Sequence, residues 1–202
     1  MAKTKEKILE SSLLLFNQNG LKQTTLQTIA DAIQISVGNL AYHYKNKNEI
    51  VAVHALDLEE QLQECLGHYR NYPGLIDFQI QLGQILLTIK KFQYLFINLG
   101  DVRQVYPEAF AIIQTFAQKL TTQIESRLEY QQEQQNIEPI DPECLVRLAQ
   151  SICSQILLTE NTRLLFSDTS SFVISLWELL SPYFTEQGQQ EWQQQVLPAL
   201  KN

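Results

Sequence analysis

Apolar residues recur every three to four positions along almost the whole chain, the spacing that places them on one face of an α-helix. The first such stretch, residues 3–18, carries Ile8, Leu9, Leu13 and Phe16 on that face. No segment alternates apolar and polar residues in a way that favours a strand over a helix. The pattern therefore predicts an all-α protein.

Turn and capping residues divide the chain into nine predicted helices. Gly20 predicts a left-handed stop after the first helix, and Asn46 with Glu49 has the spacing of a capping box. Good N-cap residues precede three later helices: Thr25, Ser36 and Asp141. The eight helices after the first are predicted at residues 25–33, 36–43, 47–69, 75–99, 107–135, 141–158, 170–180 and 186–200.

The composition is that of a folded helical chain. Of its 202 residues, 45% are hydrophobic and 18% are charged, which argues against disorder, and 7 glycines are too few for many tight β-turns. No apolar run approaches the ~20 residues of a membrane span and no signal peptide is recognised, so we expect a cytoplasmic protein. The three cysteines form no CxxC pair and are expected to be buried free thiols.

Charge is distributed unevenly along the chain. The total is −7, yet residues 1–54 contain six lysines and four acidic residues, a net +2 that leaves −9 on the remainder. A slightly basic head on an acidic body is compatible with nucleic-acid binding by the head alone, because phosphates repel the acidic part. Charge by itself does not distinguish this from chance asymmetry.

Residues 25–50 have the spacing of a helix-turn-helix. A three-residue turn at 34–36 separates two short predicted helices, and in this motif the second helix enters the major groove of DNA. That second helix leaves Tyr, His and Asn side chains outward with no acidic residue, which is unusual for a plain surface helix. A small shared core is predicted from Ile29, Ala30, Ile33, Ile35 and Leu40.

The same segment resembles the DNA-binding region of the TetR family of transcription regulators, whose signature is close to TxxxIAxxxGVSxGxLYxHFxxKxxL. The resemblance covers residues 4–55 and implies a helix-turn-helix DNA-binding domain at residues 1–50 and a larger helical bundle for ligand binding and dimerisation at residues 51–202. The matching positions, in one unbroken register, are Thr25, Ile29-Ala30, Ile35-Ser36, Gly38, Leu40, His43-Tyr44, Lys47 and Ile50.

Three positions depart from the family signature. Gln34 stands where glycine is usual in the turn, and it must adopt a left-handed conformation at some cost in strain. Ala41 replaces a tyrosine and Val37 replaces a frequent lysine, so two contacts to the DNA backbone are missing. These changes bear on affinity and on the DNA sequence recognised, while the fold is expected to persist.

The resemblance places eight residues at the DNA interface. Asn39 is expected to bond a base edge or a phosphate, Val37 to pack on a thymine methyl group, and Gly38 to let the backbone approach the groove. Because a helix N-terminus favours phosphate, a lysine at the start of the fourth helix is well placed. The residues expected near the sugar-phosphate backbone are Thr25, Gln27, Tyr42, His43 and Lys47. Tyr44 is expected in the core.

The C-terminal part is expected to form a homodimer, because one small head buries too little DNA for a specific site. A two-fold dimer would bind palindromic double-stranded DNA with its recognition helices ~34 Å apart. The most apolar late helices are candidates for the dimer seam, with ordinary core as the alternative. Their apolar residues are Leu145, Leu148, Ala149, Ile152, Ile156, Phe172, Ile174, Leu176, Trp177 and Leu180.

An aromatic-rich set between residues 75 and 130 is typical of a site for a small apolar or amphipathic ligand. The predicted lining is Phe78, Phe96, Asn98, Arg103, Tyr106 and Phe110. The resemblance implies that such an effector moves the fourth helix and weakens DNA binding. Core packing is the alternative for each aromatic residue, and a buried Arg103 would need an anionic partner.

No motif indicates an enzyme, a metal site or a cofactor. The histidines and cysteines lack metal-ligand spacing, and GxSxG, P-loop and GxGxxG motifs do not occur. The sequence is therefore interpreted as that of a DNA-binding transcription regulator, a repressor released by a small effector. Two alternatives stay open: a regulator without a small-molecule effector, and a helical adaptor whose helix-turn-helix binds protein.

Overall fold

The computed structural model describes residues 2–68, 74–166 and 172–200. Its helices are α1 (Ala2–Gln23), α2 (Leu26–Ala32), α3 (Val37–His43), α4 (Lys47–His68), α5 (Leu75–Lys91), α6 (Gln93–Ile97), α7 (Leu99–Val105), α8 (Pro107–Glu133), α9 (Pro142–Leu157), α10 (Thr159–Phe166), α11 (Phe172–Leu180), α12 (Glu186–Glu191) and α13 (Leu197–Ala199). A 3₁₀ turn follows α11 at Ser181–Tyr183, and a π turn at Trp192–Val196 joins α12 to α13. The predicted all-α class is confirmed, since the described residues contain no strand beyond one antiparallel bridge between Ile137 and Phe184.

The predicted N-caps lie where the helices begin. Thr25 accepts a hydrogen bond from the Thr28 amide at 3.2 Å, and its own amide donates to the Thr28 hydroxyl at 2.9 Å. Ser36 accepts from the Asn39 amide at 3.1 Å, and Asp141 caps α9. These bonds satisfy amides that have no partner within their helix.

The capping box predicted before α4 forms one of its two hydrogen bonds as expected, and the other uses a different backbone amide. Asn46 accepts from the Glu49 amide at 3.0 Å, as expected. The Glu49 carboxylate, however, accepts from the Lys45 amide at 2.9 Å instead of the Asn46 amide. The start of α4 is thereby bonded to the segment that follows α3.

The single helix predicted at residues 75–99 is wrong, because the chain breaks at Phe92 and Asn98 into α5, α6 and α7. At the first break the Asn17 side chain of α1 supplies the missing hydrogen bonds. Its amide nitrogen donates to the Lys91 carbonyl at 2.9 Å, and its oxygen accepts from the Tyr94 amide at 3.2 Å. A partner outside the segment therefore satisfies the backbone groups that the break exposes, which local periodicity does not reveal.

Three further boundaries differ from the sequence prediction. Gly20 does interrupt α1, but with φ 79° and ψ 162°, so the predicted left-handed turn is wrong although glycine is still required. Helix α10 was not predicted, and the last predicted helix contains a π turn. The predicted caps at Ser170 and Ser171 lie outside the described residues.

The chain forms two compact units whose limits fall inside long helices. The first comprises Met1–Gln61 and Lys90–Ile113, and the second comprises Leu62–Ile89 and Gln114–Asn202, in their described parts. Helices α4, α5 and α8 each contribute residues to both units. The functional division into residues 1–50 and 51–202 stays a prediction, since compactness and function need not share a boundary.

The second unit is held together by aromatic packing and by a close backbone approach. Trp177 lies edge-to-face on Phe78, with ring centroids 5.8 Å apart, and its indole nitrogen donates to Gln79 at 2.7 Å. Elsewhere in the unit, Gly188 of α12 lies against the turn after α8, where a Cβ atom would fall 1.9 Å from the Asn136 carbonyl oxygen. Only glycine fits at that position without moving the turn.

Most of the apolar residues named as candidates for the dimer seam are buried within the single chain, which favours the core alternative for them. The assignment of the seam to α9 and α11 stays a prediction. The buried ones are Leu145, Ala149, Ile152, Ile156, Leu176, Trp177 and Leu180. Leu148 is half-buried, Ile174 is exposed, and the side chain of Phe172 lies outside the described residues. The apolar face with the clearest helical periodicity faces the intramolecular core, so periodicity alone did not separate core from interface.

Replacing Gly188 should test the close approach in the second unit. We expect Gly188→Ala to lower the free energy of unfolding by ~1–3 kcal/mol, since the added methyl group overlaps the Asn136 carbonyl. Gly83→Ala on α5 is the matched control, because no atom lies within 4 Å of its added Cβ. That variant should be neutral or more stable by up to ~1 kcal/mol. Denaturant unfolding measures both, and equal stability of the two variants would contradict the assignment.

Candidate nucleic-acid interface

The helix-turn-helix is built by α2 and α3 around three fully buried side chains. Ile29 and Ala30 of α2 and Leu40 of α3 have no exposed surface, whereas Ile33 and Ile35 of the turn are half-buried. Gln34 has φ 58°, the left-handed conformation predicted for it. The turn keeps its geometry without the usual glycine, as the sequence indicated.

The outer face of α3 carries the residues predicted to meet DNA bases. Gly38, Asn39 and Tyr42 are exposed, and 76% of the Tyr42 surface is accessible. Val37 and His43 are half-buried, and the His43 ring lies 5.3 Å from that of Tyr42 in an edge-to-face contact. Five predicted residues thus share one short helix, and no acidic residue occurs on it.

Two predicted backbone contacts lie at the start of α2. Thr25 and Gln27 are exposed, and Thr25 also serves as the N-cap. The Gln27 amide nitrogen donates to the Asp31 carboxylate at 2.7 Å. Gln27 would have to leave Asp31 before this nitrogen could bind a phosphate.

Lys47 has a structural role that the sequence did not reveal. Its ammonium group donates to the carbonyl oxygens of Leu21 and Thr24, the second at 3.2 Å, between the Gly20 break and α2. Partial burial lowers the pKa of Lys47 by desolvation. The lysine therefore binds the first turn of α4 to the segment before α2, and its phosphate contact stays a prediction.

His54 is the buried residue that sequence reasoning missed, although a histidine on an apolar helix face was a visible signal. Its Nε2 donates to the Leu9 carbonyl at 3.1 Å, so its Nδ1 accepts from the Tyr94 hydroxyl at 3.0 Å. Ser12 lies 3.4 Å from Nε2. These contacts join α1, α4 and α6 around one imidazole ring. Tyr44 is buried in the first unit, as expected.

The six predicted ligand residues are divided between the two compact units, and their role in ligand binding stays a prediction. Phe78 belongs to the second unit, while Phe96, Asn98, Arg103, Tyr106 and Phe110 belong to the first. Phe96 is fully buried, but Asn98 and Arg103 are exposed. The guanidinium of Arg103 lies 5.9 Å from the Phe110 ring centroid. Among the described residues, the buried arginine is Arg127, whose guanidinium lies 5.4 Å from the Phe78 ring centroid.

Each unit contains a cavity beside one of these residues. In the first unit, Tyr106 lines a cavity of about 210 Å³ between the first turns of α4 and the junction of α7 and α8. In the second unit, Phe78 lines a cavity of about 10 Å³. Space of about 10–15 Å³ holds one water molecule, so only the larger of these two has room for an organic ligand.

Two features are absent from the part of the chain that the structure describes. No group of three or more His, Cys, Asp or Glu residues there is arranged to hold a metal ion. Among the same residues, no helix is long and apolar enough to cross a membrane.

Comparison with known proteins shows which proteins the helix-turn-helix region and the fold are similar to. Residues 8–53 match the family described as bacterial regulatory proteins, tetR family. The negative transcriptional regulator IcaR of the icaADBC biofilm operon in Staphylococcus epidermidis is 26% identical over 126 residues, which are 62% of this chain and 61% of that protein. The chain thus spans less than two thirds of the length of this relative.

Solved structures resemble the fold over more of the chain. A TetR-family transcriptional regulator from Marinobacter aquaeolei VT8 has a TM-score of 0.85 and 21% identity, covering 98% of this chain and 97% of that one. AibR, solved in complex with isovaleryl coenzyme A and operator DNA, has a TM-score of 0.59 and 21% identity, covering 76% and 84%. These likenesses show the fold.

The geometry defines an all-α protein with an N-terminal helix-turn-helix. Residues 8–53 are similar to the tetR family of bacterial regulatory proteins, and the fold of the described residues is similar to that of solved TetR-family regulators.

The burial of His54 predicts a loss of stability in mild acid. Desolvation lowers its pKa from 6.5 to about 4, although the Leu9 carbonyl opposes the shift. Below about pH 6.5 the imidazole of His54 binds a proton in the unfolded chain but stays neutral in the folded chain. The stability that comes from neutral His54 is therefore lost as the pH falls. Between pH 7 and pH 5, the titration of His54 should therefore lower the free energy of unfolding by about 2 kcal/mol.

His54→Gln removes the titrating group but keeps a polar side chain. Denaturant unfolding should therefore show a smaller drop between pH 7 and pH 5 in this variant than in the wild type. An identical pH dependence of the two proteins would contradict the assigned burial.

Proposed function

We propose that this protein is a sequence-specific DNA-binding transcription regulator, acting as a homodimer on a palindromic operator, and that it is a repressor released by a small molecule. The observation that carries the proposal is the outer face of α3, where Gly38, Asn39 and Tyr42 are exposed on a supported helix-turn-helix. A regulator of this kind acts in the cytoplasm, where its DNA lies, and catalyses no reaction.

The uncharged side chains of α3 are suited to contact DNA bases by hydrogen bonds and apolar packing. The Asn39 amide both donates and accepts, which suits the edge of adenine. Val37 offers a methyl surface to thymine, and Gly38 has no side chain to hold the backbone away from the groove. Tyr42 and His43 lie one turn further on and are suited to the sugar-phosphate backbone.

Phosphate anchors must then come from outside α3, because Val37 and Ala41 carry no charge. Lys5 and Lys45 are exposed, and neither forms an ion pair with another described residue. Lys5 lies 5.9 Å from the ring centroid of Tyr44, the C-cap of α3, and Lys45 is the next residue. Both cations therefore lie at the C-terminal end of α3, and we assign them to the phosphate backbone.

A dimer and an effector complete the proposal. A single helix-turn-helix buries too little DNA for a specific site, which favours two copies per operator. Val146 on α9 and Ile174 on α11 are apolar and exposed, and they are candidates for the seam. The structural neighbour AibR was solved with both isovaleryl coenzyme A and operator DNA, which supports control by a small molecule here.

Selection of bound sequences from a random DNA pool should yield a palindrome if the proposal holds. On that DNA, Asn39→Ala should weaken binding about five-fold or more through a lost base contact, and Tyr42→Ala should weaken binding through a lost contact to the sugar-phosphate backbone. Tyr130→Ala on α8 is the control, since this exposed tyrosine lies in the second unit. Mobility shifts measure all three. Weak binding that is equal in all variants and on random DNA would point to a helical adaptor instead.

The lysines predict a specific change in salt dependence. Each phosphate contact contributes about 0.9 to the slope of log affinity against log salt concentration. Lys5→Gln and Lys45→Gln should therefore each flatten the slope by about 0.9 without changing which sequence is preferred. Lys119→Gln, an exposed lysine of the second unit, should leave the slope unchanged. A slope that stays at the wild-type value in both variants would contradict this role.

A further inference from the structure

A hydrogen bond between two exposed residues of α2 fixes the orientation of one side chain of the predicted DNA interface. The Gln27 amide nitrogen donates to the Asp31 carboxylate, one turn further along the helix, at 2.7 Å. We propose that Asp31 is a positioning residue, through which Gln27 presents its amide edge to an adenine in the major groove instead of binding a phosphate. The inference rests on the proposed function, because it concerns how a DNA-binding protein selects its sequence.

The charge of Asp31 decides which arm of the Gln27 amide is held on the helix. A carboxylate only accepts hydrogen bonds, so it pairs with the amide nitrogen, and the opposite orientation would bring the amide oxygen against it. Among the described residues, none donates to the Oε1 atom of Gln27. This oxygen and the second N–H of the amide are therefore available to a partner outside the chain.

The available groups of Gln27 match adenine better than they match a phosphate. Adenine presents a donor at N6 beside an acceptor at N7, and a glutamine amide bonds to both through its oxygen and one N–H. Phosphate oxygens only accept, so Oε1 cannot bond to them, and the charge of Asp31 repels them. Guanine presents two acceptors, O6 and N7, and a fixed Oε1 would face one of them. The pair therefore favours adenine over guanine.

The pair lies on the exposed side of α2, whereas Ile29 and Ala30 of the same helix are buried. Gln27 belongs to the first turn of the helix, two residues after the Thr25 cap. In a helix-turn-helix the first helix crosses the DNA backbone, so a long side chain at its start can extend past the phosphates towards the groove. Asp31 is the one acidic residue of α2 and α3, and phosphates repel it. We therefore expect it to act on base selection and not to strengthen binding.

The bond between Gln27 and Asp31 is tested first in the free protein. In the side-chain amide NMR spectrum of the full-length protein, one Gln27 proton should lie downfield of its position in an exposed glutamine. Asp31→Asn should move that resonance back towards the exposed position, because the charge is lost. The side chain of Gln18, exposed on α1, is the internal control and should not shift. An unchanged Gln27 resonance in Asp31→Asn would refute the positioning role.

Selection from a random DNA pool separates a base contact from a phosphate contact. The wild type should select adenine at one position of each half-site, and should bind the guanine-substituted site about five-fold or more weakly. Gln27→Ala should lose this preference at that position alone, while Gln18→Ala, the matched control, should select the wild-type sequence. If Gln27→Ala keeps the wild-type preference at every position, with or without a uniform loss of affinity, Gln27 reads no base and the proposal is wrong.

Asp31→Asn distinguishes orientation from charge. This variant allows both orientations of the Gln27 amide, so the N–H groups can face O6 and N7, and guanine should be accepted as well as adenine. Glu10→Gln removes the same charge from an exposed position of α1 and should keep the adenine preference. An adenine preference that persists in Asp31→Asn, or is lost equally in Glu10→Gln, would contradict the assigned role.

Two results of the selection distinguish this inference from the proposed function. If the wild type selects no sequence at all, the proposed function fails, and base reading by Gln27 fails with it. If the wild type selects a palindrome that Gln27→Ala also selects unchanged, the proposed function stands and this inference alone is overturned.

Discussion

The imidazole of His54 is the contact on which the first compact unit depends. Its two nitrogens bond to the Leu9 carbonyl of α1 and the Tyr94 hydroxyl of α6, while the ring itself belongs to α4. A buried polar group is costly unless it is bonded, so this ring tolerates only arrangements in which all three helices keep their relative positions. Its aromatic neighbours include Phe16 and Phe92, which keep water away from both bonds.

Asn17 extends the same constraint from α1 to the break between α5 and α6. Because its side chain bonds to Lys91 and Tyr94, the backbone can leave the helix there without losing hydrogen bonds. The exposed ion pair of Lys22 with Asp101, at 2.9 Å, connects α1 to α7 and adds little energy by comparison. Residues 90–113 thus belong structurally with the helix-turn-helix, although they lie far from it in sequence.

The first compact unit extends beyond the helix-turn-helix and includes residues 90–113. If the chain were divided at residue 50, an effector site in the C-terminal part would reach DNA only through α4. The first unit instead includes both α4 and the α7–α8 junction, with the larger cavity between them. The bonds of Lys47 and Glu49 give the start of α4 direct contact with the segments flanking α2 and α3. These bonds connect the α4 wall of the cavity to the segments next to α2 and α3.

The structure of the helix-turn-helix was predictable from interactions between residues that are close together in the sequence. Capping by Thr25 and Ser36, burial of Ile29 and Leu40, and the left-handed Gln34 all follow from neighbours within a few residues, so the sequence by itself determined them. The contacts of α3 with DNA remain predictions, because their partner is another molecule.

Tertiary structure decided the features that depend on residues distant in the chain. The break at Phe92 depends on Asn17, the state of His54 depends on Leu9 and Tyr94, and the carbonyls before α2 occupy Lys47. Periodicity identified the apolar faces of α9 and α11, but only packing showed that most of their residues are core. The reason is the same throughout: a sequence pattern fixes which face of a helix is apolar or which group can bond, and only the folded chain supplies the partner.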